Sequence, residues 1–298
     1  MILKNSTQAM TDSSQLSIHA HIRNSMDRLS VSERRLAKVL LANYPIAGLE
    51  TVVQLAARAQ VSGATVVRFM RQLAFESYPA FQQQLREEVQ KSASSPLQLY
   101  EVRTGSPGEN RIEEALSIYE MGLRRTFSRT SATDIQSAAE LLADGRKRIL
   151  CTGGRFSGFL ANYLQAHLHQ ICPSARYLPP SSERVDQLIN IDRRDVLVVF
   201  DFRRYQADTL RFAKACRQRG ATLLLITDPW LSPIAEVSQQ ILMCDVEASS
   251  PYDSLVPAVA IVETLIAAVV EQLGEPARER VEKLEAARDE VIGEGRAK

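Results

Sequence analysis

The sequence predicts a multidomain chain: an all-α helix-turn-helix bundle followed by an α/β parallel-sheet domain of the αβα sandwich type. Three observations carry that expectation. Residues 54–73, QLAARAQVSGATVVRFMRQL, read as two short helices around a tight turn. Beyond residue 147, continuous apolar runs such as DVLVVFD and ATLLLIT alternate with helical patterns, as strands covered on both faces do. Between these halves, SASSP and TGSPG bracket a linker.

The elements follow in order. Residues 1–15 are rich in Ser, Thr, Asn and Gln and predict a disordered arm. Residues 16–92 form the helix-turn-helix domain. In it, Ser30-x-x-Glu33 is a capping box opening a helix to about Asn43, which Tyr44-Pro45 closes. After the two central helices, Tyr78-Pro79 introduces a helix from Ala80 to about Lys91 with Phe81, Leu85 and Val89 on one face. Residues 93–130 are a linker and a connecting helix with Ile112, Leu116, Tyr119 and Leu123 in a stripe that suits domain linkage or packing between subunits. Residues 131–276 form the second domain. Thr133-Asp-Ile-Gln136 is a capping box there, for a helix ending at Gly145. Strands are expected at 148–152, 175–178, 195–201, 221–227 and 239–244, with helices at 156–172, 182–190, 207–219 and 254–273. The last of these, containing VPAVAIVETLIAAVV, is apolar enough for deep burial or a dimer contact, and the dimer contact is the favoured reading. Residues 277–298 are a charged helical tail.

Projection at 100° per residue gives the second central helix two faces. Val66, Phe69, Met70 and Leu73 point inward, with Leu55, Ala56 and Ala59 of the preceding helix and Val61 in the turn. Ser62 is its N-cap. Ala64, Val67, Arg68 and Arg71 share the outer arc. Small side chains beside two guanidiniums suit a helix lying in a DNA major groove, with Ser62, Gly63 and Thr65 shaping the fit. The competing reading is an ordinary helical hairpin with an incidental basic stripe. The turn position at which such sequences usually carry Gly is Gln60 here, so a left-handed backbone would be costly.

Bulk properties agree with a split role. The 298 residues are 45% hydrophobic and 24% charged with a net charge of +1, ordinary for a globular protein. The charge is uneven: residues 1–95 carry 11 Lys+Arg against 7 Asp+Glu, and residues 96–298 carry 25 against 28. That suits DNA contact by the first part. Cys151, Cys172, Cys216 and Cys244 include no C-x-x-C pair, and His167 and His169 face different ways on one helix. Buried thiols in a reducing compartment are expected, with no metal and no cofactor. No apolar run is judged to reach the ~18 residues of a membrane span, and no secretory leader is evident, so a cytoplasmic protein without a membrane partner is expected.

These motifs resemble the RpiR/MurR family of bacterial transcriptional regulators over roughly residues 18–273. The resemblance rests on Leu-Ser-x-Ser-Glu-Arg, Val-Ser-x-Ala-Thr-Val-Val-Arg-Phe and Leu-Ala-Phe-x-x-Tyr-x-x-Phe within residues 29–81. It implies an N-terminal DNA-binding domain, a C-terminal SIS (sugar isomerase) domain, and a homodimer or homotetramer on a double-stranded DNA operator. It also implies control by a small anionic effector, a sugar phosphate or a carboxylate. The family binds its effector on two strand-end loops. In this sequence the first is Thr152-Gly-Gly-Arg-Phe-Ser157, which makes Gly153, Gly154, Arg155 and Ser157 candidates. The second is Asp201-Phe-Arg-Arg-Tyr-Gln206, where Arg203 and Gln206 stand in place of the family's Ser and Thr. Asp201, Arg203, Arg204 and Tyr205 are therefore effector candidates, the arginines as anion ligands. Alternatively these arginines are structural partners of Asp201 or Asp228. Two other function classes stay open: a sugar-phosphate isomerase or lyase using Glu183, Glu263 or His167, and a DNA-binding protein whose SIS domain only dimerises.

Overall fold

The structure is a computed structural model that describes residues 17–93, 97, 100, 110–181 and 183–292. The expected arm at 1–15 and most of the linker lie outside the described residues. The chain divides into two compact units, one mostly before and one mostly after residue 102.

The first unit is helical. α1 (Ile18–Ser25) and a 3-10 turn (Met26–Arg28) lead to α2 (Val31–Ala42). The capping box at its start is formed: Glu33 N–H donates to Ser30 Oγ, and the Glu33 carboxylate accepts from Ser30 N–H. One-turn α3 (Ile46–Leu49) precedes α4 (Val52–Ala59), which opens with a second capping box, Thr51 and Gln54. α5 (Gly63–Gln72) and α6 (Tyr78–Ala93) complete the unit. Leu36, Leu40, Leu55, Val66, Phe69, Met70, Leu73, Phe81 and Leu85 form its core. A Cβ at Gly48 would lie 2.5 Å from Leu85 Cδ2, so any side chain there would have to displace Leu85 where α3 packs on α6.

In the second unit, α7 (Arg111–Arg129) and α8 (Ala132–Ala143) precede a five-stranded sheet. Its strands are β1 (Arg148–Gly153), β2 (Arg176–Leu178), β3 (Asp195–Asp201), β4 (Thr222–Thr227) and β5 (Gln240–Met243). All neighbours pair in parallel in the order β2-β1-β3-β4-β5. β3 is buried along its whole length, which explains its unbroken apolar run. α9 (Gly158–Ile171), α10 (Glu183–Asp186) and α11 (Ala207–Gln218) are the crossovers, and α12 (Val256–Leu273) and α13 (Glu275–Ile292) close the unit.

Several local expectations are corrected. The box that opens α8 is Ser131 with Asp134, not Thr133 with Gln136. Ser131 holds the extended backbone an N-cap needs, which leaves Thr133 inside the first turn. α8 then closes at its C-cap Asp144, one residue before Gly145. α9 starts two residues later than expected because residues 155–157 form a turn. A 3-10 helix over Pro233–Val237 was not foreseen. On α7, Ile112 and Leu116 are exposed, while Gly122 and Thr126 are the buried positions. Helix α12 is long and apolar enough by length and composition to cross a membrane. It packs on α7, α8 and α9, burying Ala258, Ile261, Val262, Leu265 and Val269 and leaving Val256 and Val270 exposed.

Candidate nucleic-acid interface and effector site

Helix α5 sits as its periodicity requires. Val66, Phe69, Met70 and Leu73 are each at most 1% exposed. Ser62, Ala64, Val67, Arg68 and Arg71 are exposed, and Gly63 is half-exposed. Thr65 is the exception among the candidates. It is buried, with its hydroxyl 3.0 Å from that of Ser62, whose Oγ also accepts from Thr65 N–H at 3.2 Å. The turn before α5 is made by Gln60 in the left-handed conformation, at φ 52° and ψ 48°. Its N–H and that of Val61 close on Ala57 and Ala56 carbonyls, satisfying the end of α4.

One feature of this face is absent from its helical projection. Arg68 Nε donates to Glu33 Oε1 at 3.0 Å, across 35 residues of sequence. Glu33 is 5% exposed in its side chain and Arg68 64%. Burial disfavours the Glu33 carboxylate, but hydrogen bonds from Ser30 and the Arg68 guanidinium outweigh this and hold its pKa below the ordinary value. No ion pair to Arg71 occurs among the described residues.

The two strand-end loops of the second unit converge. A Cβ on Gly154 would stand 3.0 Å from Gln206 Oε1, and one on Gly153 would meet backbone at 2.8 Å. Close approach of backbone thus requires glycine at 153, while a side chain at 154 would have to displace Gln206. Ser157 Oγ accepts from Gly154 N–H at 2.8 Å and donates to the Phe200 carbonyl at 2.7 Å, which ties the first loop to β3. Arg155 is exposed, with its guanidinium 4.9 Å from the Phe156 ring centroid.

The second loop is locked from within. Asp201 is buried and accepts from Ser232 Oγ, and burial pushes its carboxyl up to about 6. Arg203 and Arg204 both bond to Asp253, Arg204 at 3.0 Å and from a left-handed backbone at φ 71°. The Arg203 side chain is 3% exposed. Tyr205 donates to Asp228 at 2.8 Å, and burial followed by that carboxylate pushes its phenol far above the ordinary range. The carboxylate partner of the arginines is therefore Asp253, rather than the Asp201 or Asp228 that the sequence suggested.

Sequence reasoning missed Asp253, Ser232 and Arg184. Arg184 is buried at the end of β1, where it donates to Thr152 Oγ1 at 3.2 Å and to Asp208 at 3.0 Å. The remaining candidates lie elsewhere. Glu263 is exposed on α12 and accepts from Tyr163 at 3.0 Å, and Tyr163 packs edge-on against His167 at 4.7 Å. The Glu183 side chain lies outside the described residues. All four cysteines are buried free thiols, with burial raising their pKa values.

A model of the rpiR-family helix-turn-helix domain matches residues 16–92, and a model of the SIS domain matches residues 141–268. The chain belongs to the RpiR family of transcriptional regulators. Two proteins named as uncharacterised HTH-type transcriptional regulators are similar to it. The one from Haemophilus influenzae is 22% identical over 72% of this chain and 75% of its own length. The one from Providencia stuartii is 23% identical over 68% and 71%. Among solved structures, the sugar isomerase domain of an RpiR transcription factor from Sphaerobacter thermophilus superposes with a TM-score of 0.55 at 21% identity, covering 60% of this chain and 99% of that one. The Vibrio vulnificus NanR protein, solved with ManNAc-6P, gives 0.50 at 16% identity over 92% and 98%. This RpiR-family chain thus shares its fold with an RpiR sugar isomerase domain and, over most of its length, with NanR.

Proposed function

We propose that this regulator binds operator DNA through the outer face of α5 and that its SIS domain reports a small anionic metabolite to that face. The observation that carries the DNA assignment is the set of exposed side chains on α5: Ala64 and Val67 beside Arg68 and Arg71. The small residues allow close approach to thymine methyls, and the guanidiniums reach phosphate or guanine. Ser62, Gly63 and Thr65 fix the N-terminal turn, and therefore the angle at which the helix enters the groove. A homodimer or homotetramer would place two such helices on half-sites about one DNA turn apart. The exposed Val256 and Val270 of α12 suit that subunit contact.

For the effector, a sugar phosphate or carboxylate is supported by the glycine loop at Gly153 and Gly154, by exposed Arg155, and by the NanR structure with ManNAc-6P. An anion that engages Arg203 and Arg204 has to replace Asp253. The segment carrying Asp253 also bonds α7: Asp245 N–H donates to Thr126 Oγ1, and Arg125 pairs with Asp245 and Glu247. Exchange at Asp253 is thus one route by which occupancy would reach the connecting helix. Ser157, Asp201 and Tyr205 have their polar groups turned to the protein and shape the loops rather than grip a ligand.

The test is a gel-shift titration on a duplex enriched by the full-length protein from a randomised library. Arg68→Ala should weaken binding about 5- to 150-fold, the cost of about 1–3 kcal/mol for a base or charged phosphate contact. Unchanged affinity would remove Arg68 from the interface. A thermal-shift screen of sugar phosphates, sugar acids and amino acids then tests sensing. If none stabilises the protein, the SIS domain serves assembly alone.

A further inference from the structure

The contact between Glu33 and Arg68 is costly for a DNA-facing surface. A carboxylate beside the interface repels phosphate, and it occupies one donor of a guanidinium needed for DNA. Its geometry is nevertheless selective. Glu33 Oε2 is taken by Ser30, which donates from N at 3.0 Å and also from Oγ. Only Oε1 remains, and it receives a single N–H, the Nε of Arg68. The guanidinium is thereby held at its inner edge. A two-point fork onto the carboxylate is absent, so Glu33 leaves the four N–H groups of the two terminal nitrogens unused, on a side chain that is 64% exposed. Glu33 itself is fixed by burial and by the capping box at the start of α2.

We infer that Glu33 is a positioning residue for DNA recognition: it orients the Arg68 guanidinium toward base edges and raises the ratio of specific to non-specific DNA binding. The inference rests on the DNA reading of α5 given above. An untethered arginine samples many rotamers and finds any phosphate, so its affinity is sequence-blind. A tethered one presents a fixed fork, which is what bidentate readout of a guanine edge requires. The negative charge of Glu33 further penalises binding that uses the backbone alone.

This produces effects of opposite sign. Glu33→Gln keeps an oxygen for Ser30, since the capping box accepts Glu or Gln, but removes the charge that holds Arg68. Full-length wild type, E33Q, R68K, R68A and E33Q/R68A are titrated on the library-enriched duplex and on a scrambled duplex of equal composition, with thermal unfolding recorded for each. E33Q should bind the enriched duplex about tenfold more weakly and the scrambled duplex about threefold more tightly. R68K, which keeps the charge but has no Nε or fork, should lose discrimination without losing scrambled-duplex affinity, and it reads the same geometry without touching Glu33. In the R68A background, E33Q should cause no further loss on the enriched duplex.

Three results would overturn the inference. Both affinities falling together with the melting temperature means Glu33 is only a helix cap. Both rising means it is only a repulsive charge. A further loss from E33Q in the R68A background means it acts by another route. If R68A alone leaves the enriched duplex untouched, or no sequence is enriched, the DNA reading itself has failed. That failure is visible before any Glu33 variant is compared.

Discussion

Arginines at two places in this molecule meet opposite fates. On α5, Arg68 keeps 64% of its side chain exposed and spends one N–H on a buried carboxylate. At the second strand-end loop, Arg203 is 3% exposed and, with Arg204, is bound to Asp253. Both pairs are ion pairs in the same chain. What separates them is which partner is buried. At α5 the carboxylate is inside and the guanidinium projects, so the positive charge remains usable. At the loop Arg203 and Asp253 are both enclosed while Arg204 is partly open, and the shared carboxylate commits both charges to holding the chain together. A basic residue in a site therefore carries no function until its partner's burial is known.

That contrast can be broken by removing the enclosed carboxylate. Asp253→Ala takes the shared partner from a buried arginine and should destabilise the SIS domain by about 3–5 kcal/mol in urea unfolding. Arg68→Ala, by comparison, should cost under about 1 kcal/mol of stability, because the Arg68 end of its pair is open to solvent and Ser30 still bonds the Glu33 carboxylate. Equal losses for the two variants would erase the distinction.

The same enclosure should show in pH dependence. The folded-state pKa of Asp201 is raised from 3.8 to about 6 by burial. Its contribution to stability is therefore fully present below about 4 and is lost as pH rises through about 6. Asp201→Asn carries no such change. Wild type should gain about 2–3 kcal/mol relative to D201N as pH falls from 7 to 4, measured by paired denaturation curves. A constant difference across that range would place the carboxylate in water.

A smaller effect concerns the turn that aims α5. Gln60 occupies a left-handed backbone that a side chain disfavours. Gln60→Gly should stabilise the first unit by about 0.5–1 kcal/mol with DNA affinity unchanged. A loss of affinity would mean that the glutamine side chain is itself part of the interface.

The sequence made one of these regions far more legible than the other. The faces of α5 follow from a 3.6-residue period within ten positions, so its apolar and basic arcs separate on the helical projection alone. β3 and β4 were equally plain, because strands buried on both faces leave unbroken apolar runs. The partner of Arg203 was not legible. Asp253 is 50 residues away, and only the order of the parallel strands and the path after β5 brings it back. The tether from Glu33 to Arg68 was hidden for the same reason, since Glu33 already had a local explanation as a capping residue. At α8 two overlapping patterns, Ser131 to Asp134 and Thr133 to Gln136, both fit a capping box, and backbone conformation chose the first.

The salt dependence of DNA binding tests the central contrast most directly. The slope of log K against log salt should fall in magnitude by about 0.9 for Arg71→Ala, the share of a single neutralised phosphate. For Arg204→Ala it should match wild type. An unchanged slope for R71A, or a reduced one for R204A, would contradict the assignment of the usable charges to α5 and the committed ones to the SIS loop.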